Sequence, residues 1–158
     1  MKTTVLKFGG TSLADSKQFK KVSDIVKSDP ARRFVVASAP GKRFDSDIKV
    51  TDLLYSCYEK SRSGLDFEPV LSEIKDRFNE IIGELGIDFD MEPEIDLIRR
   101  NLKNYPSKSY AASRGEYLNS KLLAAYLGYE FVDPYYCIHF FADGNLDTES
   151  TYEDLSES

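Results

Sequence analysis

Thr3-Thr4-Val5-Leu6-Lys7-Phe8-Gly9-Gly10-Thr11-Ser12 is a short β-rich run stopped by a glycine pair. Beyond it Phe19, Val22, Ile25 and Val26 recur at helical spacing, so the stretch reads as strand, glycine turn, helix. The pattern then repeats. Phe34-Val35-Val36-Ala37 is a second apolar run ended by Ala39-Pro40-Gly41, and after a polar loop Val50, Leu53, Leu54, Cys57 and Tyr58 share one helical face. Two such units in succession predict an α/β fold with a parallel sheet, because parallel strands need a crossover connection and a helix usually supplies it.

Farther along, Phe67, Val70, Leu71, Ile74, Phe78, Ile81, Ile82 and Leu85 keep a three-and-four spacing, with Gly86 placed to end the helix. Pro93 suits a first helical turn, and the helix through Ile95, Ile98 and Leu102 should stop before Tyr105-Pro106. A further helix is predicted from Ser109 to Leu127, with Ala111, Leu118, Leu122 and Ala125 along one face and Gly128 as its cap. Tyr129 to Val132 and Cys137 to Phe141 read as strands. Asp147 to Thr151 is rich in N-cap residues and should open a last helix. No repeat, low-complexity tract or linker divides the chain, so a single domain is expected.

Composition agrees with a folded core. The 158 residues are 41% apolar, with 10 Phe and 10 Tyr against 9 Gly and 6 Pro, which excludes disordered and fibrous classes. With 21 Lys and Arg against 27 Asp and Glu the net charge is −6, the wrong sign for a protein whose partner is a phosphate backbone, so nucleic acid is not expected. The excess acid lies between Asp143 and Ser158. No apolar run approaches the roughly 18 residues of a membrane span, and Met1 to Thr4 leads into a strand rather than a signal peptide, so a cytoplasmic protein is expected. Cys57 and Cys137 are read as buried, reduced thiols.

Several residues could carry chemistry. Lys7-Phe8-Gly9-Gly10-Thr11-Ser12 can cradle a phosphate: successive backbone N–H groups, a helix N-terminus, a mobile ammonium and two hydroxyls meet at one turn. A plain glycine turn is the alternative. Gly41-Lys42 does not make a P-loop, since Arg43 stands where Ser or Thr is required, and the dinucleotide pattern G-x-G-x-x-G is absent. Cys137 and His139 lack the further ligands of a zinc site, so no metal ligands are assigned and His139 is read as structural. Gly115, inside a helix at a cost of about 1 kcal/mol, is explained by the close approach of a ligand or of another backbone, with a helix-packing glycine beside a solvated Glu116 as the alternative. A ligand there would leave Glu116 to bind an ammonium group. Ser38 and Thr51-Asp52 flank the loop before the second helix, with helix capping by Thr51 as the alternative role.

Taken together, Val5 to Ser12, Ser38-Ala39-Pro40-Gly41, Thr51-Asp52-Leu53-Leu54 and Arg114-Gly115-Glu116-Tyr117-Leu118 resemble the ordered signatures of aspartokinases, in the amino-acid-kinase family. The resemblance implies a three-layer, mostly parallel sheet with helices on both faces, and phosphoryl transfer from ATP, with Mg²⁺ held through its phosphates, to the side-chain carboxylate of L-aspartate. It further implies Lys7 as the catalytic residue, Lys7, Phe8, Gly9, Gly10, Thr11 and Ser12 at the ATP phosphates, and Ser38, Thr51 and Glu116 on aspartate. The loop from Gly41 to Val50 is longer than in many aspartokinases, which weakens the match at Thr51. Residues 1–158 correspond to the N-terminal, aspartate-binding part of the catalytic domain, so a truncated chain is expected, without the nucleotide-base half and the regulatory domains. Its partners would be L-aspartate, ATP and either a homo-oligomer or the remaining half. The alternatives are a non-catalytic binding or assembly module with the same fold, or another amino-acid-kinase member with a different acceptor.

Overall fold

Two strands pair in parallel through the first of the expected crossovers. The structure, a computed structural model, describes residues 3–157. Strand β1 (Thr4–Phe8) lies beside β2 (Arg32–Ala37), with Leu6 opposite Val35 and Phe8 opposite Ala37, and helix α1 (Ser16–Lys27) connects them. The helices α2 (Val50–Arg62), α3 (Glu68–Leu85), α4 (Glu92–Asn104) and α5 (Lys108–Leu127) follow. A short antiparallel pair, β3 (His139–Phe140) and β4 (Leu146–Asp147), then leads into α6 (Thr148–Glu157).

The apolar stripes account for the core. Phe19 and Val22 of α1, Leu54 and Cys57 of α2, Leu71, Ile74 and Phe78 of α3, Ile95 and Ile98 of α4, and Leu118 and Leu122 of α5 are buried in one cluster, with Leu6, Phe8 and Val35 of the sheet packed against it. Each large side chain buried this way contributes about 1.5–3 kcal/mol. Cys57 sits among them, and burial pushes its thiol up to about 12, so it is a protonated core residue. The helix ends fall where the punctuation puts them. Gly86 (φ 64°) and Gly128 (φ 73°) take the left-handed conformation and return their N–H groups to the last turns of α3 and α5, and α4 stops at Tyr105. At the start of α6 the Asp147 carboxylate accepts from the N–H and hydroxyl of Ser150.

Some expectations are corrected. Tyr129 to Val132 is irregular rather than a strand: among the described residues no strand lies beside it to pair with, and Phe131 instead sets its ring edge-on to Tyr117 at 5.5 Å. Of Cys137 to Phe141 only His139 and Phe140 pair, and they do so antiparallel. Ala125 is exposed because a straight helix gains on a seven-residue repeat, so the buried stripe of α5 moves over to Leu123 and Leu127. Ile25 likewise lies outside the stripe of α1. Leu6, Phe8 and Val35 turn one face of the sheet toward the helices. On its other face, beside Lys7, lie Val5, Phe34 and Val36 with 63%, 57% and 50% of their surface exposed.

The loop after β2 is fixed by contacts that need specific residues. A Cβ on Gly115 would lie 2.6 Å from the Ala39 Cβ, so the glycine inside α5 exists to let this helix close on the Ser38–Gly41 loop. Helix packing against the Ala39 side chain, rather than a ligand, explains it. From the other side the buried Arg77 of α3 donates to the carbonyl oxygens of Gly41 and Ile48, each at 2.6 Å. Asp47, also buried, lies 3.5 Å from Arg77 and is gripped by Arg43 through its backbone N–H, Nε and Nη2. The hydrogen bonds from Arg43 hold the Asp47 carboxyl well below the usual carboxylate range, more than offsetting its burial.

Two stability tests follow from this packing. Gly83→Ala, where an added Cβ meets nothing within 4 Å, should stabilise by up to about 1 kcal/mol, whereas Gly115→Ala should destabilise by about 1–2 kcal/mol despite the same gain in helix propensity; urea unfolding of the two variants compares them. Asp47→Asn should cost about 3 kcal/mol at pH 7 by stranding the Arg77 charge. Because the folded-state pKa of Asp47 is depressed, its contribution is complete above the unfolded value near 3.9 and fades as pH falls below it. The gap between wild type and Asp47→Asn should therefore be constant from pH 7 to 5 and narrow at pH 3.

Candidate active site

The turn after β1 and the loop after β2 lie side by side at the carboxyl ends of two parallel strands, the position at which open α/β sheets bind ligands. Ser38 N–H donates to the Phe8 carbonyl at 3.0 Å, and Gly41 N–H donates to the Gly10 carbonyl at 2.8 Å. Neither of these glycines has room for a side chain. A Cβ on Gly10 would lie 2.7 Å from the Ala39 oxygen, and one on Gly41 would lie 2.7 Å from the Gly10 carbonyl carbon.

Gly9 is different. Its backbone is extended with a negative φ of −76°, and a Cβ there would meet nothing within 4 Å. The described fold therefore does not require glycine at this position, and open space lies in front of it. A group that approaches the backbone closely is one physical reason for a residue without a side chain at a turn between a strand and a helix. Lys7, Thr11 and Ser12 are exposed around the same turn. The helix-dipole part of the phosphate expectation is corrected: Gly10–Leu13 form a single 3-10 turn, and α1 begins only at Ser16, with the Asp15 carboxylate accepting from Gln18 N–H at 2.9 Å. Its N-terminus is occupied by its own cap. Backbone amides of the turn, the Thr11 and Ser12 hydroxyls and the Lys7 ammonium are what remain for an anion.

The other expected residues come to the neighbouring wall. The Ser38 carbonyl accepts from Asn119 Nδ2 at 2.7 Å, Pro40 accepts from Val50 N–H at 3.2 Å, and Gly115 abuts Ala39 and Val50. Ser38, Thr51 and Glu116 are each the immediate chain neighbour of a residue in this contact. Thr51 is not a cap, because Lys49 holds the N-cap position of α2 and Thr51 lies within its first turn. Glu116 Oε2 and Asn119 Oδ1 are buried without a hydrogen-bond partner among the described residues. Such atoms are rare in native proteins and call for a partner.

Lys42 turns to its own loop, donating to the Asp45 carbonyl at 3.1 Å. His139 lies 2.6 Å from Asp154 through Nε2, and its N–H donates to Thr151 Oγ1 at 2.9 Å, so it joins β3 to α6. Among the described residues no group of His, Cys, Asp or Glu is arranged to hold a metal ion. No described helix is long and apolar enough to cross a membrane.

Asn119, Arg77 and Asp47 were not singled out in the sequence. Arg77 had a signal, since it falls on the apolar stripe between Ile74 and Ile81. Asn119 had a similar one, a polar residue one position after the core residue Leu118 and one turn after Gly115. Asp47 had none, because its burial depends on how the loop folds back.

Comparison with known proteins places this geometry. The chain is 40% identical to aspartokinase 3 of Bacillus subtilis over 144 residues, which cover 82% of this chain and 31% of that protein. The crystal structure of Clostridium acetobutylicum aspartate kinase superposes with a TM-score of 0.96 at 46% identity, covering 100% of this chain and 36% of that one. Escherichia coli aspartokinase III shares the fold with a TM-score of 0.77 at 22% identity, over 99% of this chain and 37% of that one. The chain thus spans about a third of the length of these relatives. The amino acid kinase family profile matches residues 2–155, and the chain belongs to that family.

Proposed function

We propose that the chain is the aspartate-binding part of an aspartate kinase catalytic domain, which transfers the γ-phosphoryl group of ATP to L-aspartate to give 4-phospho-L-aspartate and ADP, the first step toward lysine, threonine and methionine. The observation that carries this reading is the buried, unpartnered Glu116 Oε2 beside the Ser38–Gly41 loop. A buried carboxylate oxygen without a donor suits the α-ammonium of an amino acid. The similarity to aspartokinases of two bacteria supports the choice of amino acid, and the Escherichia coli enzyme of the same fold was solved with aspartate and ADP.

The chemistry asks little of this chain beyond positioning and charge. The side-chain carboxyl of aspartate, with a pKa near 3.9, is already ionised at neutral pH, so the nucleophile needs no general base. One carboxylate oxygen forms a bond to the γ-phosphorus as the bond to the bridging oxygen of ADP breaks. The obstacle is repulsion between two anions. Lys7 would offset it at the transferring group, and the turn of Phe8, Gly9, Gly10, Thr11 and Ser12 would hold the phosphates through backbone N–H groups and hydroxyls. Ser38 and Thr51 would position the aspartate while Glu116 pairs with its ammonium. Mg²⁺ would enter on the phosphates of ATP, where it would neutralise charge. The base and ribose of ATP would be bound by the part of the kinase domain that the relatives carry beyond this match.

A second role rests on the bare sheet face. Val5, Phe34 and Val36 form an exposed apolar strip, which fits a docking surface for the remaining half of the domain or for another copy. Sedimentation of this chain at high concentration should show association through this strip that Val36→Lys abolishes; a monodisperse monomer would remove the self-association reading.

Lys7→Ala in the complete kinase should lower kcat by about 10²–10³-fold with L-aspartate as acceptor, measured as ADP release. Glu116→Gln should weaken L-aspartate binding at least tenfold by removing the charge opposite the ammonium. Equal turnover of glutamate, acetylglutamate or carbamate in the same assay would move the chain to another branch of the family.

A further inference from the structure

Asn119 has no exposed surface, and its two side-chain polar atoms have different fates. Nδ2 donates to the Ser38 carbonyl at 2.7 Å, which fixes the orientation of the amide, and Oδ1 is left buried with no partner. Among the described residues the other such atom is Glu116 Oε2, three positions earlier on α5. Residues three apart on a helix are neighbours on one face. This face presses on the loop after β2, through Gly115 against Ala39 and Asn119 against Ser38.

Both orphan atoms only accept hydrogen bonds. A group that satisfies both brings at least two donor hydrogens, and a positive charge gives the strongest bond to the carboxylate. A hydroxyl has one hydrogen and no charge, and an acylated amine has one N–H and no charge. A primary ammonium has three N–H donors and a full charge. We propose that Asn119 is a second acceptor for the substrate ammonium, acting beside Glu116, and that the pair makes the site select an unmodified α-amine. This rests on the reading of Glu116 as the ammonium partner and adds a residue and a specificity to it. A site that hydrogen-bonds a substrate group rejects analogues lacking that group strongly, because its own polar atoms are then left unpaired.

The test is calorimetric titration of the protein with L-aspartate and with succinate, which keeps both carboxylates and lacks the amine. Wild type should prefer L-aspartate. Asn119→Leu should cut that preference about tenfold or more while succinate affinity changes less than about twofold. Equal weakening of both ligands would mean that Asn119 only holds the Ser38 loop, and would overturn the inference, as would an unchanged preference. Should Asn119→Leu fail to fold by circular dichroism, Asn119→Asp decides. An added negative charge beside the ammonium should raise the aspartate-to-succinate ratio, and a ratio equal to wild type overturns the proposal. A wild-type protein that binds both ligands equally would instead sink the ammonium reading of Glu116 itself, taking this inference with it.

Discussion

The turn after β1 and the loop after β2 touch backbone to backbone at Gly10 and Gly41, and the remainder of the site is arranged around that contact. A methyl group at either position would sit within 2.7 Å of main-chain atoms that have no flexible side chain to yield. The contact sets the distance between the two strand ends, hence where Lys7 and Gly9 stand relative to Ser38. It also frees the polar backbone of both segments from dependence on solvent, since the Phe8 and Gly10 carbonyl oxygens find N–H partners across the gap and that of Pro40 accepts from Val50 at the end of the loop.

Holding an irregular loop that closely requires supports outside the sheet. Arg77 supplies them from α3, using a guanidinium to satisfy two carbonyl oxygens that a buried loop would otherwise strand. Burial pushes the Arg77 pKa down, and Asp47 works against that shift. The arrangement places a charged pair in the interior not as a source of net stability, which buried pairs seldom provide, but because the carbonyl groups need donors of fixed direction. The long loop from Gly41 to Val50 is thereby ordered rather than loose.

Most of the helical frame was legible because its signals are local. Gly86 and Gly128 terminate helices by a backbone conformation available to them at no steric cost, and Pro93 and Pro106 bracket α4 through their fixed geometry. The strands were less legible. Thr4–Phe8 and Phe34–Ala37 found each other, but Tyr129–Val132, with similar composition, found no partner, and a strand exists only in pairing. In the site, Lys7, the glycine pair, Ser38 and Glu116 stood out from their residue types and spacing. The roles of Gly41, Asp47, Arg77 and Asn119 depend on contacts between residues 29 to 81 positions apart, or on a loop folding back on itself, and no periodicity encodes those.

The glycines separate what the fold needs from what a ligand needs. Gly10, Gly41 and Gly115 are each accounted for by an atom that a Cβ would strike. Gly9 is not, having ordinary dihedrals and open space before it. The polar atoms of α5 divide in the same way. Asn119 Nδ2 is spent on the Ser38 carbonyl, whereas Asn119 Oδ1 and Glu116 Oε2 are buried at a cost of about 1–3 kcal/mol each with nothing in the described chain to offset it. Open backbone on one wall and orphan acceptors on the adjoining one are complementary to two different charges. The first suits an anion, the second a cation, and an amino acid lying between them would present its ammonium to α5 and its carboxylate toward Lys7. Gly115 lets α5 close on the Ser38–Gly41 loop, so the packing that stabilises the fold also brings the orphan acceptors up against that loop.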